Sequence, residues 1–155
     1  MMEIEWRDYA HHELDTTTLY SMLALRSQVF VVEQQCPYLD LDGLDLVGDN
    51  RHVLALHQQR VLACARILAP ADAQSPVAIG RVVVSDEARG LRLGVALMQQ
   101  ALSSCEHHWP EHQQYLSAQA HLQGFYQQLG FTPYGDVYSE DGIPHISMQR
   151  GPSHA

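Results

Sequence analysis

The sequence predicts a mixed α/β fold in one domain, and three observations carry that expectation. The chain has 155 residues, 46% of them apolar; a chain of that size buries about 70% of its extended surface and needs no cross-links. Short runs rich in β-branched residues, such as Val77 to Val84, alternate with segments whose apolar residues recur at helical spacing. One such strand, Ile79 to Val84, runs through Arg89-Gly90-Leu91-Arg92-Leu93-Gly94 into a helix. There is no internal repeat. The domain is expected over residues 1–150, with a frayed tail from Gly151 to Ala155.

The elements follow in order. Ile4-Glu5-Trp6 predicts an edge strand. Asp15 or Thr16 can cap a helix that gathers Leu19, Met22, Leu23, Arg26, Val29 and Phe30 on one face. Pro37 and the acidic stretch from Asp40 to Asn50 read as a long solvated loop, suited to a cationic partner. His52 to Leu56 and Val61 to Leu68 form two strands around the turn His57-Gln58-Gln59-Arg60. Pro70 to Pro76 is a turn, and Val77 to Val84 a buried strand. Val95, Met98, Ala101, Leu102 and Cys105 mark the next helix, and Tyr115 to Ala120 a short strand. Leu122, Phe125, Tyr126 and Leu129 mark a last helix, with Leu122, Phe125 and Leu129 turned to the core and Gly130 as its left-handed cap. A final hairpin joins Asp136–Tyr138 to His145–Met148 around Asp141-Gly142.

Composition excludes several functions. A net charge of −9 argues against a nucleic-acid footprint, which needs clustered positive charge. No apolar run reaches membrane-spanning length, and Met1 to Asp8 lacks the pattern of a signal peptide. Cys36, Cys64 and Cys105 are odd in number and far apart, which predicts free thiols in a reducing cytoplasm. Among ten histidines, the pairs His11-His12 and His107-His108 are adjacent residues that do not share a helical face. No HxxxH or HExxH pattern joins those pairs and no cysteine pair completes a zinc set, so no metal site is expected. The series Asp40, Asp42, Gly43, Asp45 fails as a calcium loop, because its twelfth position is Arg51.

The loop from Arg89 to Val95 holds the most chemistry. A helix start presents unpaired N–H groups and the positive end of its dipole to an anion. Arg89 and Arg92 add guanidinium groups, and Gly90 and Gly94 remove side-chain bulk. This is either a pyrophosphate site or a tight surface turn. Neither GxxxxGK[ST] nor GxGxxG occurs here.

At these residues the chain resembles the GNAT family of N-acetyltransferases. Arg89 and Gly94 match the ends of its coenzyme-A-binding motif, Arg/Gln-x-x-Gly-x-Gly/Ala, while Arg92 stands at its middle glycine. Phe125-Tyr126-Gln127-Gln128-Leu129-Gly130-Phe131 is similar to the family's second signature, and Gln119 lies where many relatives carry Asn. Leu25 to Gln34, Cys36-Pro37-Tyr38, Gly48 to His52, Ala65-Arg66-Ile67, Gly80-Arg81-Val82 and Asp141 to His145 resemble the family's ElaA-like branch.

The resemblance implies a mixed, mostly antiparallel central sheet flanked by helices, the acyl-CoA N-acyltransferase fold. It implies acetyl-CoA as co-substrate, a small-molecule amine as acceptor, and direct transfer without an acyl-enzyme. A strand N–H near Val82, Val83 or Val84 would polarise the thioester carbonyl, while Arg89, Gly90, Leu91, Arg92, Leu93, Gly94 and Val95 hold the pyrophosphate and Gln119 lines the cofactor site. Tyr126 would be general acid to the leaving sulfur; otherwise it is a core aromatic. Glu33, beside the Pro-bounded loop, is either the acceptor's base or an ion-pair partner of Arg66 or Arg81. His52, Arg66, Arg81, His121 and His145 complete the expected acceptor side. A non-catalytic acyl-CoA-binding module and a longer-chain acyltransferase remain alternatives, and an exposed edge strand would permit a homodimer.

Overall fold

The computed structural model describes residues 3–152, which form a seven-stranded sheet with helices on both faces. The strands are β1 (Glu5–Ala10), β2 (Arg51–His57), β3 (Arg60–Leu68), β4 (Val77–Val84), β5 (Gln114–Gln119), β6 (Thr132–Glu140) and β7 (Ile143–Arg150). Their order is β1-β2-β3-β4-β5-β7-β6, antiparallel throughout except for β4 and β5. The helices are α1 (Thr16–Arg26), α2 (Leu93–His108) and the short α3 (Gln123–Gln127). Of the expected tail, residues 151–152 carry no regular structure, and 153–155 lie outside the described residues.

Both sheet faces are covered, so the central strands read as unbroken apolar runs. On β2, Val53 and Ala55 join the core beneath α2, while Leu54 and Leu56 join the core beneath α1. Asp15 caps α1, its carboxylate accepting from the Thr18 N–H at 2.7 Å. The turn at Gln58 and Gln59 is left-handed at both residues (φ 51° and 68°), the geometry a two-residue hairpin needs.

Two local features differ from the expected pattern. The first helix changes to a wider π-type coil over Ser27–Glu33 before the loop. Strand β6 begins at Thr132 and carries an irregularity between Tyr134 and Tyr138, beside the left-handed Gly135 (φ 74°).

Two irregularities make the site. The register between β3 and β4 shifts between Cys64 and Arg66, with Arg81 left-handed at φ 50°, so β4 bulges at Arg81 and Val82. Next to it, β4 and β5 pair only at Val77–Gln114 and Ala78–Tyr115. Beyond Ala78 the two strands part, and among the described residues no strand pairs with that edge of β4.

Candidate active site

A cleft of about 600 Å³ opens where the strands part. Ile79 to Val82 of β4 form one wall, Leu116, Ser117 and Gln119 of β5 the other, and Tyr126 projects from α3. On the far side stand Phe30, Tyr38 and Leu39, facing Glu140, Asp141 and His145 of the β6–β7 hairpin.

Tyr126 is held from three directions. Its ring meets Phe125 and Phe131 edge-on, at centroid distances of 5.0 and 6.1 Å. The Phe131 N–H donates to the Tyr126 carbonyl at 3.1 Å, and Gly130 turns the chain with φ 97°. Tyr126 lines the cleft, and its hydroxyl has no protein hydrogen-bond partner among the described residues. Burial pushes the phenol up to about 12, so it stays protonated at neutral pH. Leu122, expected in the core, is 37% exposed, whereas Tyr126 is 7% exposed. A helix of one turn is too short for periodicity to select its buried face.

The cofactor loop is open at the start of α2. Arg92 occupies the N-cap position in a left-handed conformation (φ 57°), which explains why glycine is usual at that place in the motif. No side chain caps the helix, and Arg92 makes no ion pair among the described residues. Arg89 is engaged: it pairs with Glu33 Oε1 at 2.8 Å and donates to the Val84 carbonyl at 3.2 Å. Gly90 and Val95 are exposed, as is Leu91, but the Leu93 side chain is 6% exposed and belongs to the core. A Cβ on Gly94 would lie 3.7 Å from the Phe125 ring, so this glycine faces α3. Val82 and Gln119 line the cleft; Val83 packs beneath α1, and Val84 against the core beneath α2.

Several acceptor-side expectations are corrected. Glu33 does not line the cleft, and its partner is Arg89 rather than Arg66 or Arg81. His52 is 1% exposed, with Nε2 2.9 Å from the Asp45 carbonyl, and burial lowers its pKa. Arg66 is buried between Asp42 and Asp45, at 2.9 and 3.3 Å. His121 is exposed and away from the cleft lining. Only Arg81 and His145 reach it.

The acidic loop is not solvated as expected. Asp40 and Asp45 clasp the buried Arg26 at 2.9 and 2.7 Å, and Arg81 bridges Asp40 and Asp42 at 2.8 and 3.2 Å. Burial opposes ionisation of Asp42, but the bonds from Arg66 and the Leu44 N–H, with the charges of Arg66 and Arg81, together outweigh it and bring the carboxyl down to about 2. The Tyr38 hydroxyl donates to Asp40 at 2.5 Å, and its ring lies 5.4 Å from the Arg81 guanidinium. With the aspartates turned inward, Leu39, Leu41, Leu44, Leu46 and Val47 are left exposed.

Sequence reasoning missed Tyr38 and Glu140 as cleft residues. Tyr38 had a signal in Cys36-Pro37-Tyr38, and Glu140 in its place before the Asp141-Gly142 turn, opposite Ile143.

A parted strand pair, an open helix start and a cleft-facing tyrosine coincide in the segment that comparison with known proteins identifies. The family model described as an acetyltransferase (GNAT) domain matches residues 26–151. The chain belongs to the GNAT family. This GNAT chain is 56% identical to Protein ElaA of Escherichia coli (strain K12) over 147 residues, 95% of this chain and 96% of that protein. The crystal structure of Escherichia coli ElaA matches with a TM-score of 0.90 and 54% identity, covering 96% of this chain and 99% of the other. An acyl-CoA N-acyltransferase from Pseudomonas aeruginosa matches with a TM-score of 0.91 and 48% identity, covering 96% and 100%. The GNAT protein is thus an acyltransferase that uses an acyl-coenzyme A. Among the described residues no helix is long and apolar enough to cross a membrane, and no three metal-ligating side chains cluster.

Proposed function

We propose that this enzyme transfers the acetyl group of acetyl-CoA directly to a primary amine of a small molecule, in a ternary complex. The observation that carries this reading is the Tyr126 hydroxyl, unpartnered in the cleft between β4 and β5. Acetyl rather than a longer acyl group follows the description of the matching family model. The unpaired edge of β4 suits the amides of the pantetheine arm, and a β4 N–H at the bulge suits the thioester oxygen. Arg92 and the first N–H groups of α2 suit the pyrophosphate, with Arg89 beside them. The amine approaches from the far side, between Tyr38 and the β6–β7 hairpin. Since Asp40, Asp42 and Asp45 are paired with arginines, the carboxylates left to attract a cationic amine are Glu140 and Asp141.

The phenol pKa defines what Tyr126 contributes. A group near 12 is a weaker acid than an ordinary thiol at about 8.5. Complete proton transfer to a free thiolate therefore runs uphill. Tyr126 acts as general acid by hydrogen-bonding the sulfur while its charge develops, with transfer and C–S cleavage coupled. A cytoplasmic setting fits the three free thiols. The exposed edge strand β6, with Tyr134 and Val137, offers a homodimer contact.

The deciding experiment is Tyr126→Phe, which keeps the ring and loses the hydroxyl. Turnover should fall about 10²–10⁴-fold, with acetyl-CoA affinity by calorimetry unchanged. A mass-spectrometric screen of amines supplies the acceptor. Turnover within about threefold of the parent removes Tyr126 as the acid.

A further inference from the structure

Acceptor attack needs a group that takes a proton from nitrogen, and pairing with Arg89 takes Glu33 out of that position. We infer that His145 is the proton acceptor for the amine, with Glu140 beside it to hold the ammonium; this rests on the acetyl-transfer reading above.

The geometry fixes the tautomer. His145 Nδ1 lies 2.7 Å from the Ile143 carbonyl, which can only accept, so Nδ1 carries the hydrogen. The free lone pair is then on Nε2. That atom is 3.5 Å from Glu140 Oε2, too far for a good hydrogen bond. An N–H donor from the cleft can lie against both. Glu140 also accepts from Ser117 Oγ at 3.2 Å, and Ser117 is in close contact with the Tyr138 hydroxyl.

Strand register brings these groups together. His145 on β7 sits opposite Gln119 of β5 and Tyr138 of β6, and the Tyr138 ring stacks on the imidazole. The tight turn at Asp141 and Gly142, left-handed at both residues, returns the chain so that Glu140 pairs with Ile143. The imidazole is largely buried yet lines the same cleft as Tyr126. The other ionisable groups facing the cleft are Tyr38, Cys36, Asp42, Arg81 and Asp141. Asp42 and Arg81 are held in ion pairs, Tyr38 donates to Asp40, and the Cys36 thiol lies 3.4 Å from the Asp141 carbonyl. Among the described histidines only His145 lines this cleft.

The step balances. The bound ammonium first gives one proton to His145 Nε2, which releases it to water. The freed lone pair then forms the C–N bond as the C–S pair leaves on sulfur, and the second N–H proton passes by way of His145 to water. The sulfur takes the Tyr126 proton, and water reprotonates the phenolate, so one proton is released per turnover. The products are an N-acetyl amine and coenzyme A.

The test uses purified full-length protein, with benzylamine, ethanolamine and putrescine as probe acceptors. His145→Ala should lower turnover at least 100-fold with acetyl-CoA affinity within threefold of the parent. Added imidazole should restore at least tenfold of that rate above a protein-free blank, which a merely structural histidine would not allow. Turnover within threefold of the parent, or a loss that imidazole leaves untouched, overturns the inference alone. If the parent acetylates none of the three probes, the acetyl-transfer reading falls and this inference falls with it. Nitrogen NMR on the unaltered protein guards against a variant that does not fold. It should show His145 at pH 8 as the Nδ1–H tautomer with a bare Nε2; an Nε2–H tautomer or a permanently charged ring overturns the assignment.

Discussion

Arg26, Arg66 and Arg81 end among carboxylates beneath the acceptor wall, whereas Arg89 and Arg92 stand at the surface beside the start of α2. The first group is matched charge for charge by Asp40, Asp42 and Asp45. Its field is closed within the protein, and it supports a loop that has few apolar contacts of its own. The second group carries charge that the chain itself does not fully satisfy. Arg92 has no protein partner among the described residues, and the carboxylates that Arg89 meets are the partly exposed Glu33 and the exposed Asp86. Identical side chains thus serve structure where desolvated and matched, and where left open they are the ones proposed to meet the pyrophosphate.

The largest expected effect breaks the closed group. Arg26→Met keeps much of the volume and removes the charge, leaving Asp40 and Asp45 short of a buried partner. Stability by urea unfolding should fall about 3–5 kcal/mol. A loss below about 1 kcal/mol would mean that the aspartates reach water after all.

That closed group also marks where the sequence was hard to read. The strands, the helix after Arg89 and the Gly130-Phe131 helix end were legible, because periodicity and turn residues are local signals. The loop from Leu39 to Val47 was not. Its aspartates turn inward and its leucines outward, since the arginines that attract them come from α1, β3 and β4. Spacing along one segment cannot report a partner on another. A clue lay in Arg26, an arginine among the apolar positions of α1, which demands a buried counter-charge. Within the cleft, Val82, Gln119 and Tyr126 were legible from motif positions, while Glu140 depended on the register of a hairpin whose first strand is irregular.

A middle-sized effect sharpens the open group. Arg92→Gly removes a cation without a protein partner and also relieves its left-handed backbone. Stability should stay within about 1 kcal/mol of the parent, since strain relief offsets the greater freedom of glycine in the unfolded chain. Acetyl-CoA affinity by calorimetry should fall by about 1–3 kcal/mol. Unchanged affinity would place the pyrophosphate elsewhere.

The smallest effect separates the two roles within one ion pair. Glu33→Gln frees Arg89 from a competing carboxylate. Acetyl-CoA binding should tighten by about 0.2–1 kcal/mol, with turnover kept within about threefold. A fall of 100-fold in turnover at unchanged affinity would return Glu33 to the role of base.

The short contact between β4 and β5 has a thermodynamic consequence. Two residue pairs join one half of the sheet to the other, and in the proposed mode of binding an acyl-CoA would lie along the remaining edge. A ligand that bridges the halves binds the native state alone and resists unfolding by RT ln(1 + [L]/Kd), about 2.7 kcal/mol at a hundredfold excess over Kd. The lifetime of the folded chain is thereby linked to the acyl-CoA concentration around it, so starvation for the substrate would be felt first as faster proteolysis at the seam.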